Sequence, residues 1–210
     1  MTDIHWHDER TIYARSLMTK NRIEAYSDAV IAILITIMVL ELKVPHGTDF
    51  AALRPLVPIF LSYILSFIYL GIYWNNHHHL FQAVQYIKGG ALWANAHLLF
   101  WLSLIPFASG WMGENHFAPL PVAVYGGVLL CCAIAYWILV HVLLKHHERD
   151  SVLAKAIGRD FKGKLSIVLH LLGIGLAFTN RWLACAMYVI VAIIWLVPDK
   201  RIESKLSQEQ

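Results

Sequence analysis

The sequence predicts an all-α integral membrane protein of six transmembrane helices with both termini in the cytoplasm, and three observations carry that reading. The chain has 210 residues, is 58% hydrophobic and 15% charged, and has a mean hydropathy of +0.55. A soluble domain carries roughly 25% charged residues, so too little charge is present here to wet a surface. Second, whole stretches lack charge: between Pro55 and Ile87 nothing ionises unless a histidine is protonated. Third, the basic residues fall almost entirely on one side of the parse below. With no long polar block there is no room for a separate soluble catalytic domain, so function belongs to the membrane helices and an enzyme is not expected. A formal charge of +3 is too small to suggest nucleic acid as a partner.

A spanning helix needs about 20 mostly apolar residues at 1.5 Å rise per residue across roughly 30 Å of hydrocarbon. Six segments meet this: 23–42, 57–76, 92–110, 121–144, 165–178 and 182–197. The last two are separated only by Asn180, Arg181 and Trp182, which predicts a tight hairpin of two short helices. Cytoplasmic loops hold the excess of Lys and Arg. Arg10, Arg15, Lys20 and Arg22 precede the first helix, and Lys88 lies in the second connection. Lys145, Arg149, Lys155, Arg159, Lys162 and Lys164 lie in the fourth, and Lys200, Arg201 and Lys205 in the tail. Those 14 share one side; Lys43, Arg54 and Arg181 are the three on the other. The organisation is then a cytoplasmic N-terminal segment (1–21), a six-helix domain (22–198) and a cytoplasmic tail (199–210), with no removable signal peptide. The connection 146–164 reads as solvated and partly helical. Trp74, Trp93, Trp111 and Trp182 sit near predicted helix ends, where an indole anchors at the headgroups. Cys131, Cys132 and Cys185 lie in apolar stretches and read as small core residues, neither a disulfide framework nor a metal site.

The first helix carries most of the polar signal. Only 12 uncharged residues, Ala29–Leu40, separate Asp28 from Glu41. That is about 18 Å of helix, too short to cross alone, so the polar turn before it enters the membrane. Arg22 and Glu24 can snorkel to the headgroups, whereas Asp28 is too short to do so and is expected as a buried, hydrogen-bonded carboxylate. At about 100° per residue, Val30, Ile33, Thr36, Ile37 and Leu40 form one stripe, and Asp28 falls off it, toward the helix's own bundle. Periodicity by itself leaves lipid packing, core packing and a pore open for that stripe.

Arg22-Ile-Glu-Ala-Tyr26-Ser27-Asp28 resembles the R-x-x-x-F-S-D signature of the transmembrane protein 175 type of potassium channel, with Tyr26 in place of Phe. Trp74 and His77, then Asn95 and Leu104-Ile105-Pro106-Phe107, are similar to that family's W-x-x-H and N…L-P-F elements, and the resemblance runs over roughly residues 20–200. It implies a cation channel in which first helices surround a central pore closed by hydrophobic residues. A chain with one six-helix unit is expected to form a homotetramer in the plasma membrane, surrounded by lipid, conducting potassium with moderate selectivity and needing no cofactor. Carried over by offset, the constriction falls at Ile33, with Thr36, Ile37 and Leu40 beyond it. These are stripe residues, so the two routes meet on one face. The resemblance further implies a supporting hydrogen-bond network of Arg22, Tyr26, Ser27, Asp28, Trp74, His77 and Asn95. Glu41, near +80° on the wheel, either concentrates cations at the outer mouth or is a solvated helix-end carboxylate.

Two other readings are carried. The chain has twelve histidines, including the run His77-His78-His79 and the membrane-depth His97, His141 and His170. They raise a haem or metal redox protein, although consecutive histidines on a helix point in different directions and only His77 is expected to be structural. A proton-coupled secondary transporter is the other, with Pro106 as the one possible helix break.

Overall fold

The computed structural model describes residues 3–84, 87–145 and 161–196, with side chains from residue 20 onward. Most of the connection read at 146–164, and the tail 199–210, lie outside the described residues. Within them all regular structure is helical, with no strand. Four stretches are long and apolar enough to cross a membrane: Lys20–Leu40, Phe50–Gln82, Gly89–Glu114 and Pro119–Leu144.

Helix α1 runs Asp3–Leu40, starting well before the expected boundary near residue 23. Nothing between 3 and 40 is Gly or Pro, so no residue stops the backbone ladder. Hydropathy locates the membrane crossing, not the helix that contains it. The ladder closes with Glu41 N–H on the Ile37 carbonyl (3.3 Å) and Leu42 N–H on that of Val39 (3.1 Å). A single turn, α2 (Phe50–Leu53), is capped by Asp49, whose carboxylate accepts from Ala52 N–H at 3.1 Å. A 3₁₀ turn at Arg54–Leu56 leads into α3 (Val57–Gln82). That helix continues past Asn76 through the histidine run, because no breaker lies there. Its last carbonyls are met from α1: the Lys20 ammonium donates to Gln82 O (3.4 Å) and Val84 O (3.2 Å). A cation at a helix C-terminus is favoured by the dipole as well as by the hydrogen bonds.

The third segment, expected as one helix over 92–110, is two: α4 (Gly89–Leu102) and α5 (Ile105–Glu114). Pro106 has no N–H for the Leu102 carbonyl and its ring crowds the preceding turn, which breaks the ladder. The Ser103 hydroxyl donates to Phe100 O at 2.7 Å in the last turn of α4, and the ladder resumes with Ala108 N–H on Leu104 O at 3.0 Å. Before α6 (Pro119–Leu144) the chain reverses through His116 and Phe117, both left-handed at φ 49° and 58°. Ala118, forced extended by the following proline, aims the chain into the new helix. The final pair, α7 (Phe161–Leu176) and α8 (Arg181–Leu196), forms the short hairpin expected. Asn180 caps α8 by accepting from Trp182 and Leu183 N–H groups at 3.1 and 3.3 Å. Each of these helices has 16 residues, or about 24 Å, which falls short of a full hydrocarbon core.

Helix α6 is the hub, packed on α4, α5, α7 and α8. Val122, Tyr125, Leu129, Cys132, Leu139 and Leu143 are buried along it at steps of three, four or seven, one continuous seam. Helix α1 touches α3, α4 and α5, and so sits at one side of the bundle. Where α6, α7 and α8 meet, Tyr188 lies in a slot made by Gly126 and Gly173. Its hydroxyl donates to Val122 O (3.3 Å), and its own carbonyl accepts from Tyr69 OH (2.7 Å). A methyl group on Gly126 would collide with the Tyr188 hydroxyl, whereas one on Gly127 meets nothing within 4 Å. In lipid the hydrophobic effect does not drive helices together, so such close approaches over small residues carry the association. Gly126→Ala is therefore expected to destabilise the protein by about 1–3 kcal/mol, while Gly127→Ala leaves it unchanged or slightly more stable. Thermal unfolding of the two variants in detergent checks this, and equal midpoints would contradict it.

Candidate pore-lining helix and its polar anchor

From Lys20 to Leu40, α1 has two distinct sides. Ile23, Ser27, Ile31, Leu34 and Met38 are buried, repeating at three and four residues and defining the side that meets the bundle. Ile33, Thr36, Ile37 and Leu40 all lie on the other side and are exposed in the single chain, Ile33 at 55% and Leu40 at 82%. An uncovered row of isoleucine and leucine on a membrane helix faces lipid or another copy. Thr36 gives that row its one hydroxyl. Its hydrogen goes to the Ile33 carbonyl at 2.8 Å, so what it presents outward is oxygen lone pairs, which suit a cation.

What fixes this facing is a buried polar chain across three helices. Asn95 on α4 donates through Nδ2 to the Ser27 hydroxyl at 2.9 Å, and its Oδ1 lies 2.8 Å from His77 Nε2 on α3. The amide oxygen can only accept, so His77 donates from Nε2. The Phe81 ring stacks on the imidazole at 4.4 Å. All three polar residues are buried. At membrane depth each unpaired donor or acceptor is costly, so the chain is satisfied only when Ser27 points inward. Because Ser27 and Ile33 lie about 120° apart around the helix, that same condition turns Ile33 away from the bundle.

The other residues of the expected network are placed differently. Asp28 is exposed and makes no hydrogen bond among the described residues, which differs from the buried carboxylate expected within the bundle. The bundle-facing arc centres on Ser27, Ile31 and Leu34, and one residue's step of about 100° carries Asp28 off it. Arg22 and Tyr26 are exposed, on the side of the Ile33 row. Trp74 is 47% exposed and stacks on His78 (6.3 Å) instead of joining the Ser27 chain. Sequence reasoning missed Lys20, whose four-carbon stem reaches the end of α3. It also missed a deeper set of buried hydroxyls, in which Tyr125 OH lies 3.0 Å from Ser66 Oγ, Ser66 donates to Ser109 Oγ (2.9 Å) and Ser109 to Ser62 O (3.1 Å). The sparse signal for it was the repeat of serine at 62 and 66 on one face of α3.

The histidines at membrane depth each have a partner on their own helix, and His170 Nε2 also lies 3.4 Å from Tyr69 OH on α3. Trp101 Nε1 donates to His97 Nε2 at 2.9 Å, His141 Nδ1 lies 2.8 Å from Trp137 O, and His170 Nδ1 lies 2.7 Å from Ser166 O. No group of three or more metal-ligating side chains occurs among the described residues. Among the described residues the break at Pro106 has no matching interruption within α6, α7 or α8. Asn95→Leu would leave Ser27 and His77 without partners, at about 1–3 kcal/mol for each buried polar group. It is expected to lower the unfolding midpoint more than Asn76→Leu, whose amide, among the described residues, donates to the Ile72 carbonyl of its own helix (2.8 Å). Equal midpoints would contradict a load on Asn95.

Known proteins resemble this chain over most of its length. Residues 22–106 match the family model described as endosomal/lysosomal potassium channel TMEM175, the stretch that contains Ser27, His77 and Asn95. A protein of Chryseobacterium sp. (strain P1-3), named a potassium channel, is 56% identical over 191 residues, covering 91% of this chain and 100% of its own. Another named a potassium channel, from Chamaesiphon minutus (strain ATCC 27169 / PCC 6605), is 30% identical over 188 residues, covering 82% of this chain and 91% of its own. The crystal structure of a lysosomal potassium-selective channel TMEM175 homolog from Chamaesiphon minutus superposes with a TM-score of 0.73 at 29% identity, over 86% of this chain and 97% of that one. The chain, a multi-pass membrane protein with the α1 anchor described above, belongs to the TMEM175 family.

Proposed function

We propose that the protein is a potassium-conducting cation channel of the plasma membrane, a homotetramer in which four α1 helices surround a central pore. The observation that carries this is the uncovered row Ile33, Thr36, Ile37 and Leu40, held outward by the buried Ser27–Asn95–His77 chain. Fourfold association about that row would place rings of aliphatic side chains around one axis. Both termini then lie in the cytoplasm, following the basic-residue asymmetry. The remaining exposed aromatic side chains, such as Phe60, Phe100 and Phe107, face lipid.

A ring of four isoleucines gates by dewetting. Water leaves a narrow apolar neck, and a cation crossing it sheds hydration without replacement ligands. Potassium holds its hydration shell less tightly than sodium, so the barrier is lower for potassium, and selectivity is moderate because no carbonyl cage discriminates by fit. Four Thr36 hydroxyl oxygens next to the neck supply partial replacement for the lost water.

Subunit association also accounts for the polar residues that the single chain leaves exposed. Asp28, Arg22, Tyr26 and Trp74 lie on surfaces of α1 and α3 that a neighbouring copy would cover, and they complete their hydrogen bonding there. Asp28→Ala is accordingly expected to lower the yield of tetramer on size exclusion while leaving the potassium-to-sodium flux ratio of the assembled fraction unchanged. Normal assembly of that variant would argue against an interfacial role.

Flux into liposomes containing the purified protein tests the main proposal. Passive potassium entry exceeding sodium entry is expected. Ile33→Asn should hydrate the neck, raising flux by about tenfold if the isoleucine ring contributes ~1.4 kcal/mol to the barrier, and lowering the selectivity ratio. Unchanged flux would place Ile33 outside the pore, and saturable exchange coupled to protons would indicate a transporter.

A further inference from the structure

Behind the outer end of α1, a cleft is lined by Met38, Glu41, Ile59, Ser62, Pro106 and Ser109, among others, with room for about one water-sized particle. It lies between α1, α3 and α5. Three properties give this cleft a definite chemistry. The inner wall holds two buried hydroxyls whose hydrogens are already committed: Ser62 donates to Ile59 O (2.8 Å) and Ser109 to Ser62 O (3.1 Å). Ser109 also accepts from Ser66 at 2.9 Å, so what each serine oxygen has left to offer is a lone pair; Tyr63 lies on the same wall. At the rim, Glu41 is exposed and forms no ion pair among the described residues, while Lys43, two residues on, is engaged with Glu114 at 3.0 Å. Finally, α1 ends here. Leu42 N–H turns back to Val39 O, leaving the Met38 carbonyl outside the ladder, and the last turn of the helix contains no basic residue. A helix C-terminus carries roughly half a negative charge.

Two serine oxygens that can only accept, a free carboxylate and the negative end of a helix dipole share one preference. We propose that this cleft is a binding site for a monovalent alkali cation, distinct from the central pore and present once in each subunit. Hard oxygen donors suit such ions, and the space matches potassium, which is close to water in size. An anion finds no donor among these hydroxyls, and a divalent ion finds only one carboxylate. Bound there, the cation ties the outer end of α1 to α3 and α5. The binding stands apart from the pore reading. Its consequence, that outer potassium biases the position of the pore helix, rests on that reading.

The test is thermal unfolding of the purified protein in potassium chloride against N-methyl-D-glucamine chloride at constant ionic strength. Wild type should rise saturably, by about 4 °C at ten times the dissociation constant. Glu41→Gln, an exposed substitution that folding tolerates, should remove at least half of the rise, and Ser109→Ala should reduce it as well. Equal midpoints in the two salts would mean that water alone occupies the cleft, and an undiminished rise in Glu41→Gln would place the potassium elsewhere; either overturns the proposal. Liposome flux on the same variants separates the readings. A rise that depends on Glu41, in a protein without passive flux, would retain the site and discard the pore. Flux without the rise would do the reverse.

Discussion

The orientation of α1 depends on one side chain of another helix. Asn95 is buried among the helices, and Ser27 and His77 are the groups that meet its Nδ2 and its Oδ1. Rotating α1 by a single residue would replace the Ser27 hydroxyl with Tyr26 or Asp28 and take from the Asn95 Nδ2 the hydroxyl that accepts from it. In water such a misfit costs little, because solvent fills the place of the lost partner. In lipid it does not, so a short chain of three polar residues determines which row of aliphatic side chains faces outward.

The rest of the bundle gives that chain something rigid to act against. Helix α6 supplies the central seam, and the Tyr188 slot between Gly126 and Gly173 locks the short α7–α8 hairpin onto it. Helix α1 is joined to this body at its side: by the Lys20 ammonium on the end of α3, by Ser27 in the middle, and by the Lys43–Glu114 ion pair outside. The outer tie is solvent-exposed and therefore weak, whereas the middle one is buried. Between these ties Ile31, Leu34 and Met38 are buried against the bundle, so this face of α1 is packed as far as its last turn.

The two serine clusters differ in purpose although the sequence presents them alike. Ser27 reaches across to another helix, and its partner is an amide that cannot be satisfied locally. Ser62 returns its hydrogen to its own helix at Ile59, and Ser109 gives its hydrogen to the carbonyl of Ser62 on the neighbouring helix. The first arrangement imposes an orientation. The second leaves acceptors free beside a small cleft, and so bears on ions instead of on helix rotation.

How much of this was legible beforehand follows from which forces act locally. The membrane class, the six helical segments and the paired short helices at the end were readable, because burial in lipid demands runs of apolar residues and those runs are written in order along the chain. The stripe of Ile33, Thr36, Ile37 and Leu40 was readable too, since helical periodicity is a local property. Where α1 begins was not, because its polar start resembles any solvated segment; nor was the division at Pro106 into two helices. Whether Asp28 or Ser27 faces the bundle is a difference of one residue's turn, and either assignment is compatible with the amphipathic pattern. Only the tertiary structure decided it, by bringing Asn95, 68 residues away in sequence, to the one depth and side of α1 where Ser27 stands. Periodicity defines a face, and a long-range partner determines which way that face points.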